Sequence, residues 1–239
     1  MQTLLSFTSP PEPCGYLPDQ RWSLHYEVVD ELSLEAYHER LLAGWRRFGY
    51  TLFRPACLAC QACQSLRVDV ARFQPSATQK RVDRKNRGEV RLSIGKPSVT
   101  AEKLALYDKF HAFQSEFKDW PLHAPKSVSD YAETFVDNPV PTEEWCYRLG
   151  ERLIGVGYVD RLPDGMSAIY FFYDPDERSR SPGVWNILSL IEKTAALGLP
   201  YLYLGYYVQG CRSLEYKAVY RPNERRQPDG TWLPFAGPR

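Results

Sequence analysis

The sequence predicts a mixed α/β (α+β) chain in two parts: a small mixed amino-terminal domain over residues 1–98, carrying cysteines and a basic segment, and a carboxyl-terminal domain over residues 99–239. The first reason is size. A chain of 239 residues with 44% hydrophobic and 25% charged residues buries one substantial core or two modest ones. The second is a change of period. Apolar residues recur at helical spacing in two stretches before residue 121, whereas beyond residue 143 they form short alternating or continuous runs broken by turn residues.

In chain order, a proline-rich opening gives way at Ser33 to LSLEAYHERLLAGWRRFGY. There Tyr37, Leu41, Trp45 and Phe48 recur at helical spacing, Arg46 and Arg47 fall in the last turn, and Gly49 is the stop. From Tyr50 to Val70, short apolar pieces alternate with cysteines and proline, which predicts strands and loops with CLACQAC, Cys57 to Cys63, between them. A second helix is expected from Thr100, with Leu104, Tyr107, Phe110, Phe113, Phe117 and Trp120 on one broad face before Pro121. A short third helix in SDYAETFVD is expected to be capped by Ser129. EWCYRLG, RLIGVGYVDRL and SAIYFFYD, separated by GE and PDG, predict an antiparallel meander. A polar loop, a helix in VWNILSLIEKTAALG and a strand in LYLGYYV follow.

A net charge of +1 gives no overall attraction to nucleic acid, so binding of that kind requires local clusters. One exists: Lys80, Arg81, Arg84, Lys85, Arg87 and Arg91 stand against only Asp83 and Glu89. Such a run is read either as a solvated face or as a phosphate-binding surface, and aromatic neighbours able to stack on unpaired bases favour the second. No apolar run approaches the roughly 20 residues needed to cross a bilayer, and the start lacks a basic segment followed by an apolar core, so a cytoplasmic location without membrane partners is expected.

Six cysteines in a chain this long do not make a disulfide framework. Cys57, Cys60 and Cys63 have CxxCxxC spacing, and Cys14 supplies a fourth thiol. Structural zinc, an iron–sulfur cluster and plain packing of small residues are all open readings. In YLYLGYYVQGCRSLEYKAVYRP, the residues Tyr206, Tyr207 and Gln209 are candidates to position an ester carbonyl, and Lys217 or Arg221 to pair with an acidic side chain. The four histidines, His25, His38, His111 and His123, lie on expected helical or loop surfaces without a nucleophile motif, so a covalent triad is not expected.

The order strand, strand, strand, helix, strand, with DPDERSRSPGVW between the third strand and the helix, resembles the GCN5-related N-acetyltransferase fold. In that family the loop holds the coenzyme A pyrophosphate on backbone amides at a helix start. Arg180, Gly183 and Trp185 occupy the pattern positions here, and the bulk of Trp185 argues against a pyrophosphate.

CGYLPDQ, LLAGWRRFGYTLFRPACLACQACQSLRVDV, FQPSATQKRVDRKNR, YFFYDP and LYLGYYVQGCRSLEYKAVYRP together resemble the arginyl-tRNA protein transferase family, in its bacterial aspartate/glutamate leucyltransferase branch. The resemblance implies transfer of an amino acid, leucine in that branch, from aminoacyl-tRNA to proteins or peptides beginning with Asp or Glu, tagging them for degradation. It implies an acetyltransferase-like carboxyl domain and no required cofactor. Asp174 is then the candidate base, although turn capping is an equal reading. Tyr173 joins Lys217 and Arg221 at the acidic acceptor, and Lys80, Arg81, Arg84, Lys85 and Arg87 hold the tRNA. The eukaryotic branch has a CGYC motif and adjacent cysteines associated with cluster binding; Leu17 and Gln61 depart from that pattern here. Three alternatives stay open: arginine as the transferred residue, a coenzyme A dependent N-acetyltransferase, and a non-enzymatic tRNA-binding module.

Overall fold

The computed structural model describes residues 1–117 and 120–235. A four-stranded antiparallel sheet is built from the first 55 residues: β1 (Gln2–Thr8), β4 (Leu24–Glu31), β5 (Arg46–Phe48) and β6 (Thr51–Pro55), in the order β1-β4-β6-β5. Two two-residue strands, β2 (Glu12–Pro13) and β3 (Arg21–Trp22), pair with each other beside it. Helix α1 (Leu34–Leu42) begins where Ser33 Oγ accepts the Ala36 N–H, an N-cap that satisfies one orphan donor of the first turn.

The expected continuation of this helix through Arg46, Arg47 and Phe48 is overturned. Gly44 adopts a left-handed conformation, φ 91°, which ends the helix as glycine does at little steric cost, and the chain returns as β5. Trp45 then enters the core beside Tyr37 and Leu41, and both arginines are buried instead of capping a helix end.

The eight-stranded sheet takes β7 (Gln64–Asp69), β8 (Val90–Gly95), β9 (Thr142–Leu149), β10 (Arg152–Leu162), β11 (Gly165–Tyr173), β12 (Tyr201–Tyr207), β13 (Asn223–Arg226) and β14 (Trp232–Pro234). Their order is β14-β13-β7-β12-β11-β10-β9-β8. The expected meander is present as β9, β10 and β11, turning at Gly150 and at Asp164–Gly165. Helix α5 (Pro182–Ala196) carries the chain over to β12, which pairs parallel with β11. The strand–strand–strand–helix–strand order of the acetyltransferase-like domain is therefore as expected. The sheet also draws on residues before 98: β7 lies antiparallel between β12 and β13, and β8 pairs with β9.

The basic segment is helical. In α2 (Ala77–Asn86), Ser76 Oγ accepts the Gln79 N–H while the Gln79 side chain accepts the Ser76 N–H, a reciprocal capping box. Helix α3 (Ala101–Phe117) covers most of the second predicted helix; residues 118 and 119, inside that prediction, lie outside the described residues. The third helix is capped earlier in the chain than expected. Ser127, not Ser129, accepts the Asp130 N–H at the start of α4 (Val128–Tyr131), which runs into a π-helical turn.

Two cores form on opposite faces of the large sheet. Trp185, Leu188 and Ile191 of α5 pack on Leu202, Leu204 and Tyr207, while Leu106, Tyr107 and Phe110 of α3 pack on Val156, Tyr158 and Phe172. Against the expectation of surface histidines, the α3 residue His111 is partly buried, stacked on Tyr107 and joined to Tyr170 Oη at 2.9 Å. Burial, then His123 and Lys126, lowers its pKa to about 4, which leaves the ring neutral at ordinary pH. Among the described residues, no helix is long and apolar enough to cross a membrane.

Candidate active site at the parting of two strands

β11 and β12 pair only from Gly165, Met166 and Ser167 to Tyr201, Leu202 and Tyr203. Beyond that point β11 runs on to Tyr173, and β12 turns away along β7 through a bulge between Tyr203 and Gly205. Gly205 has φ 76°, a conformation L side chains rarely adopt. The wedge between the strands is a cleft built into the sheet, and its backbone groups are not consumed by a shared ladder.

Arg46 fills the apex of the wedge. The tight turn at Gly44 delivers it from β5, and it donates to Ser167 Oγ at 3.1 Å and to the Ala168 carbonyl at 2.5 Å. Its guanidinium lies against Gly205 so closely that a Cβ there would stand 3.3 Å from it. On the β12 side, Lys217 Nζ donates to the Tyr206 carbonyl at 2.7 Å. Burial, and then the charge of Arg46, lower the Lys217 pKa to about 7. Among the described residues, neither cation has a carboxylate partner. Two inward-facing cations without a counter-ion are costly to the free protein, and a small anion placed between them would offset that cost.

The other expected residues distribute unevenly. Tyr206 faces the wedge side and donates its hydroxyl to the Gly44 carbonyl at 2.9 Å. Tyr207, next in the strand, points to the opposite face, where it packs on Phe235 with its hydroxyl unpaired among the described residues, so the two tyrosines do not act on one ligand. Gln209 is exposed on the turn after β12. Tyr173 ends β11, where its ring stacks on Phe171 and packs on Phe110. Arg221 is exposed, with Nε donating to the Ala218 carbonyl at 3.2 Å.

Asp174 does not fit the role of base. Its carboxylate caps the turn that follows, accepting the Asp176 N–H at 3.1 Å, and is paired with Lys109 at 2.6 Å and Arg152 at 2.7 Å. Burial raises its pKa, but the hydrogen bonds from Lys109 and the Asp176 amide and both positive charges outweigh it and hold the carboxyl below its ordinary range. A carboxylate so stabilised has little affinity for a proton from an amine.

Cys14, Cys57, Cys60 and Cys63 line one small cavity together with Tyr206. Burial first, and the neighbouring thiols next, push Cys63 up to about 12. Cys14 Sγ accepts the Tyr16 N–H, and the Cys57 thiol donates to the Ser23 carbonyl. Four thiols are a suitable donor set for zinc or an iron–sulfur cluster in type, but among the described residues no three metal-binding side chains converge closely enough to hold an ion. The donor set fits and the spacing does not. No step below passes through a metal.

Lys80, Arg81 and Arg84 project from α2 into solvent with no ion pair among the described residues, whereas Arg87 is engaged by Asp83 and Glu192. α2 is also bonded to the loop between β11 and α5. Lys85 Nζ donates to the Ser179 carbonyl and Asn86 Nδ2 to the Arg180 carbonyl, while Arg180 itself pairs with Glu89 and Glu177. Trp185 is not a plug but part of the core, 8% exposed. These bonds hold the carbonyl side of the loop, and the space at Gly183 is open.

Arg46 is the residue of the wedge that sequence reasoning misses. Its signal is Gly44, which marks a stop inside an apparent helical repeat.

Comparison with known proteins places the chain in a family. The sequence model of "Arginine-tRNA-protein transferase, N terminus" matches residues 12–81, and that of "Arginine-tRNA-protein transferase, C terminus" matches residues 102–227. An aspartate/glutamate leucyltransferase of Campylobacter jejuni is 37% identical over 92% of both chains. One of Gluconobacter oxydans is 39% identical over 95% of this chain and 94% of its own. Among solved structures, L-PGS from Bacillus licheniformis aligns with 74% of this chain and 50% of its own at TM-score 0.44 and 14% identity, too low to bear on the site.

Proposed function

Since the chain belongs to the arginine-tRNA-protein transferase family, we propose that it moves leucine from leucyl-tRNA to the α-amine of proteins beginning with Asp or Glu, with the wedge between β11 and β12 as the place of transfer. The observation that carries this reading is the Arg46–Lys217 pair. An acceptor that supplies its own carboxylate provides the missing counter-ion, and an acceptor beginning with a neutral or basic residue does not.

The chemistry needs little more than alignment. The aminoacyl ester is already activated; the acceptor amine attacks its carbonyl, a C–N bond forms, the C–O bond to the tRNA ribose breaks, and the amine proton ends on the ribose hydroxyl. A protein α-amine has a pKa of about 7.7–8.0, so a useful fraction is neutral near pH 8 without a strong base. Asp174 therefore has no required role beyond holding the end of β11. Lys217 and Arg46 read the acceptor's acidic side chain, with Tyr173 and Arg221 nearer the mouth. Tyr206 shapes the floor, and Gln209 is exposed where the tRNA end must enter. The reaction as written requires no cofactor. α2 brings Lys80, Arg81 and Arg84 beside the loop that follows β11, where they bind tRNA phosphates, with Lys85 and Arg87 supporting them.

Two measurements test this. Peptides beginning with Asp, Glu, Lys or Ala are incubated with protein and either leucyl-tRNA or arginyl-tRNA and then weighed by mass spectrometry. A leucine-sized gain confined to the acidic peptides is expected. An arginine-sized gain changes the donor, and no gain with tRNA still bound leaves a binding module. Separately, K80A/R81A/R84A is expected to raise the KM for leucyl-tRNA about 10- to 100-fold. It should also flatten the dependence of log affinity on log salt by about 0.7–0.9 for each phosphate that the variant no longer neutralises. An unchanged salt slope would move the tRNA elsewhere.

A further inference from the structure

We infer that the small cavity between the amino-terminal segment, the CLACQAC loop and the end of β12 is the pocket for the leucyl side chain of the donor ester, and that its walls are what excludes arginine. This rests on the transfer reading above and goes beyond it, because nothing in that reading locates the transferred side chain.

The walls are apolar: Leu17, Trp22, Leu24, Phe53, Pro55 and Val208 contribute to them, and no Asp or Glu is among the lining residues. The one charged group there is Arg21. An arginyl side chain in this space would lose its water, find no carboxylate and meet a like charge, whereas a leucyl side chain loses only its exposure to water. The four thiols add small, soft, weakly polar groups that pack well against methyls, and Tyr16, Gln20 and Tyr206 are the uncharged polar side chains of the lining.

Size agrees. The cavity holds about 40 Å³, and one water needs roughly 10–15 Å³ on that scale, so there is space for about three to four water-sized groups. An isobutyl group has four carbons. The cavity is also in the right place: Tyr206 forms part of its wall, and the carbonyl of the same residue holds Lys217. A leucyl side chain lodged here directs its ester carbonyl toward the edge of β12 where the acceptor's carboxylate binds, so donor and acceptor meet over one strand end.

The test separates side chain from tRNA body by charging one leucine tRNA with leucine, alanine, phenylalanine or arginine and measuring transfer to a peptide beginning with Glu. Ala62→Leu, which fills the cavity from the cysteine loop, is expected to lower kcat/KM for leucine about 10-fold or more while leaving alanine transfer near wild type. Leu17→Ala, which enlarges it, is expected to admit phenylalanine. The alanine arm reports that the first variant folds and binds tRNA, and leucine transfer by the second serves the same purpose. An unchanged leucine-to-alanine ratio in Ala62→Leu together with no phenylalanine transfer by Leu17→Ala overturns the pocket. If the wild type transfers leucine and arginine from this tRNA equally, the exclusion of arginine is overturned. Should the wild type transfer nothing at all, the transfer reading fails instead.

Discussion

Arg47→Met is expected to destabilise the protein by about 3–5 kcal/mol, because it strands a buried carboxylate. Arg47 and Asp160 have side chains 1% and 0% exposed and are ion-paired. The arginine makes five hydrogen bonds: two to Asp160, one to the Gly49 carbonyl at 3.0 Å, one to Asn138 at 2.7 Å and one to Thr142 at 2.6 Å. They match the five N–H donors of a guanidinium and tie β5 of the small sheet to β10 of the large one. When the arginine is removed, Asp160 keeps the hydrogen bond from Thr142 at 2.7 Å and the neighbouring Tyr37 hydroxyl, but no cation. Urea denaturation should show the loss, and R47M/D160L should recover a good part of it, since removing both charges removes the stranded one. A single variant within about 1 kcal/mol of wild type would mean that water reaches Asp160.

Lys217→Met is expected to cut kcat/KM for acidic peptides about 30-fold or more while making the folded protein more stable at neutral pH. The two effects share a cause. The folded pKa is about 7 because burial and Arg46 oppose the charge, whereas an unfolded lysine stays near its ordinary 10.5. Between these values the unfolded chain holds a proton that the folded chain lacks, so stability rises with pH across that window. The cost of keeping the lysine is complete below about pH 7 and gone above about 10.5. The Tm advantage of the variant should therefore be largest at about pH 7 or below and fade toward about pH 10.5. Binding of an acidic peptide to the wild type should draw a proton from solution near pH 8, visible as a buffer-dependent heat, because the incoming carboxylate restores the ammonium. A Tm difference independent of pH would place Lys217 in water.

Much of the fold is written locally. β9, β10 and β11 declare themselves by apolar runs separated by Gly150 and by Pro163–Asp164–Gly165, and α5 by its unbroken apolar repeat. The end of α1 is masked because Trp45 and Phe48 happen to continue its spacing, and two arginines resemble a basic last turn; only the left-handed turn at Gly44 decides otherwise. The helical state of α2 is legible in the Ser76–Gln79 box but hidden under a run of charge. The candidate site is harder still. Lys217 stands out by its neighbourhood, but its partner lies 171 positions earlier in the chain and reaches it only through the turn, the short β5 and the hydrogen bonds to Ser167 and Ala168. No local pattern encodes that meeting. Asp174 illustrates the reverse error. A carboxylate at a strand end invites a chemical role, and what it does is set by Lys109 and Arg152, which come from other elements.

The position of β7 between β12 and β13 bears on how the molecule is made. Residues 64–69 leave the ribosome well before either of their partners, at 201–207 and 223–226, exists. Until then a strand with Leu66 and Val68 on its core side has nothing to pair with, and the wedge that depends on β12 turning along β7 has no wall. Non-local pairing of this kind is slow and leaves apolar edges open in the interval. Synthesis of residues 201–226 is thus the event that closes the large sheet around β7 and creates the cleft. A chain released short of residue 201 carries most of the fold's residues and neither of the ladders that flank β7.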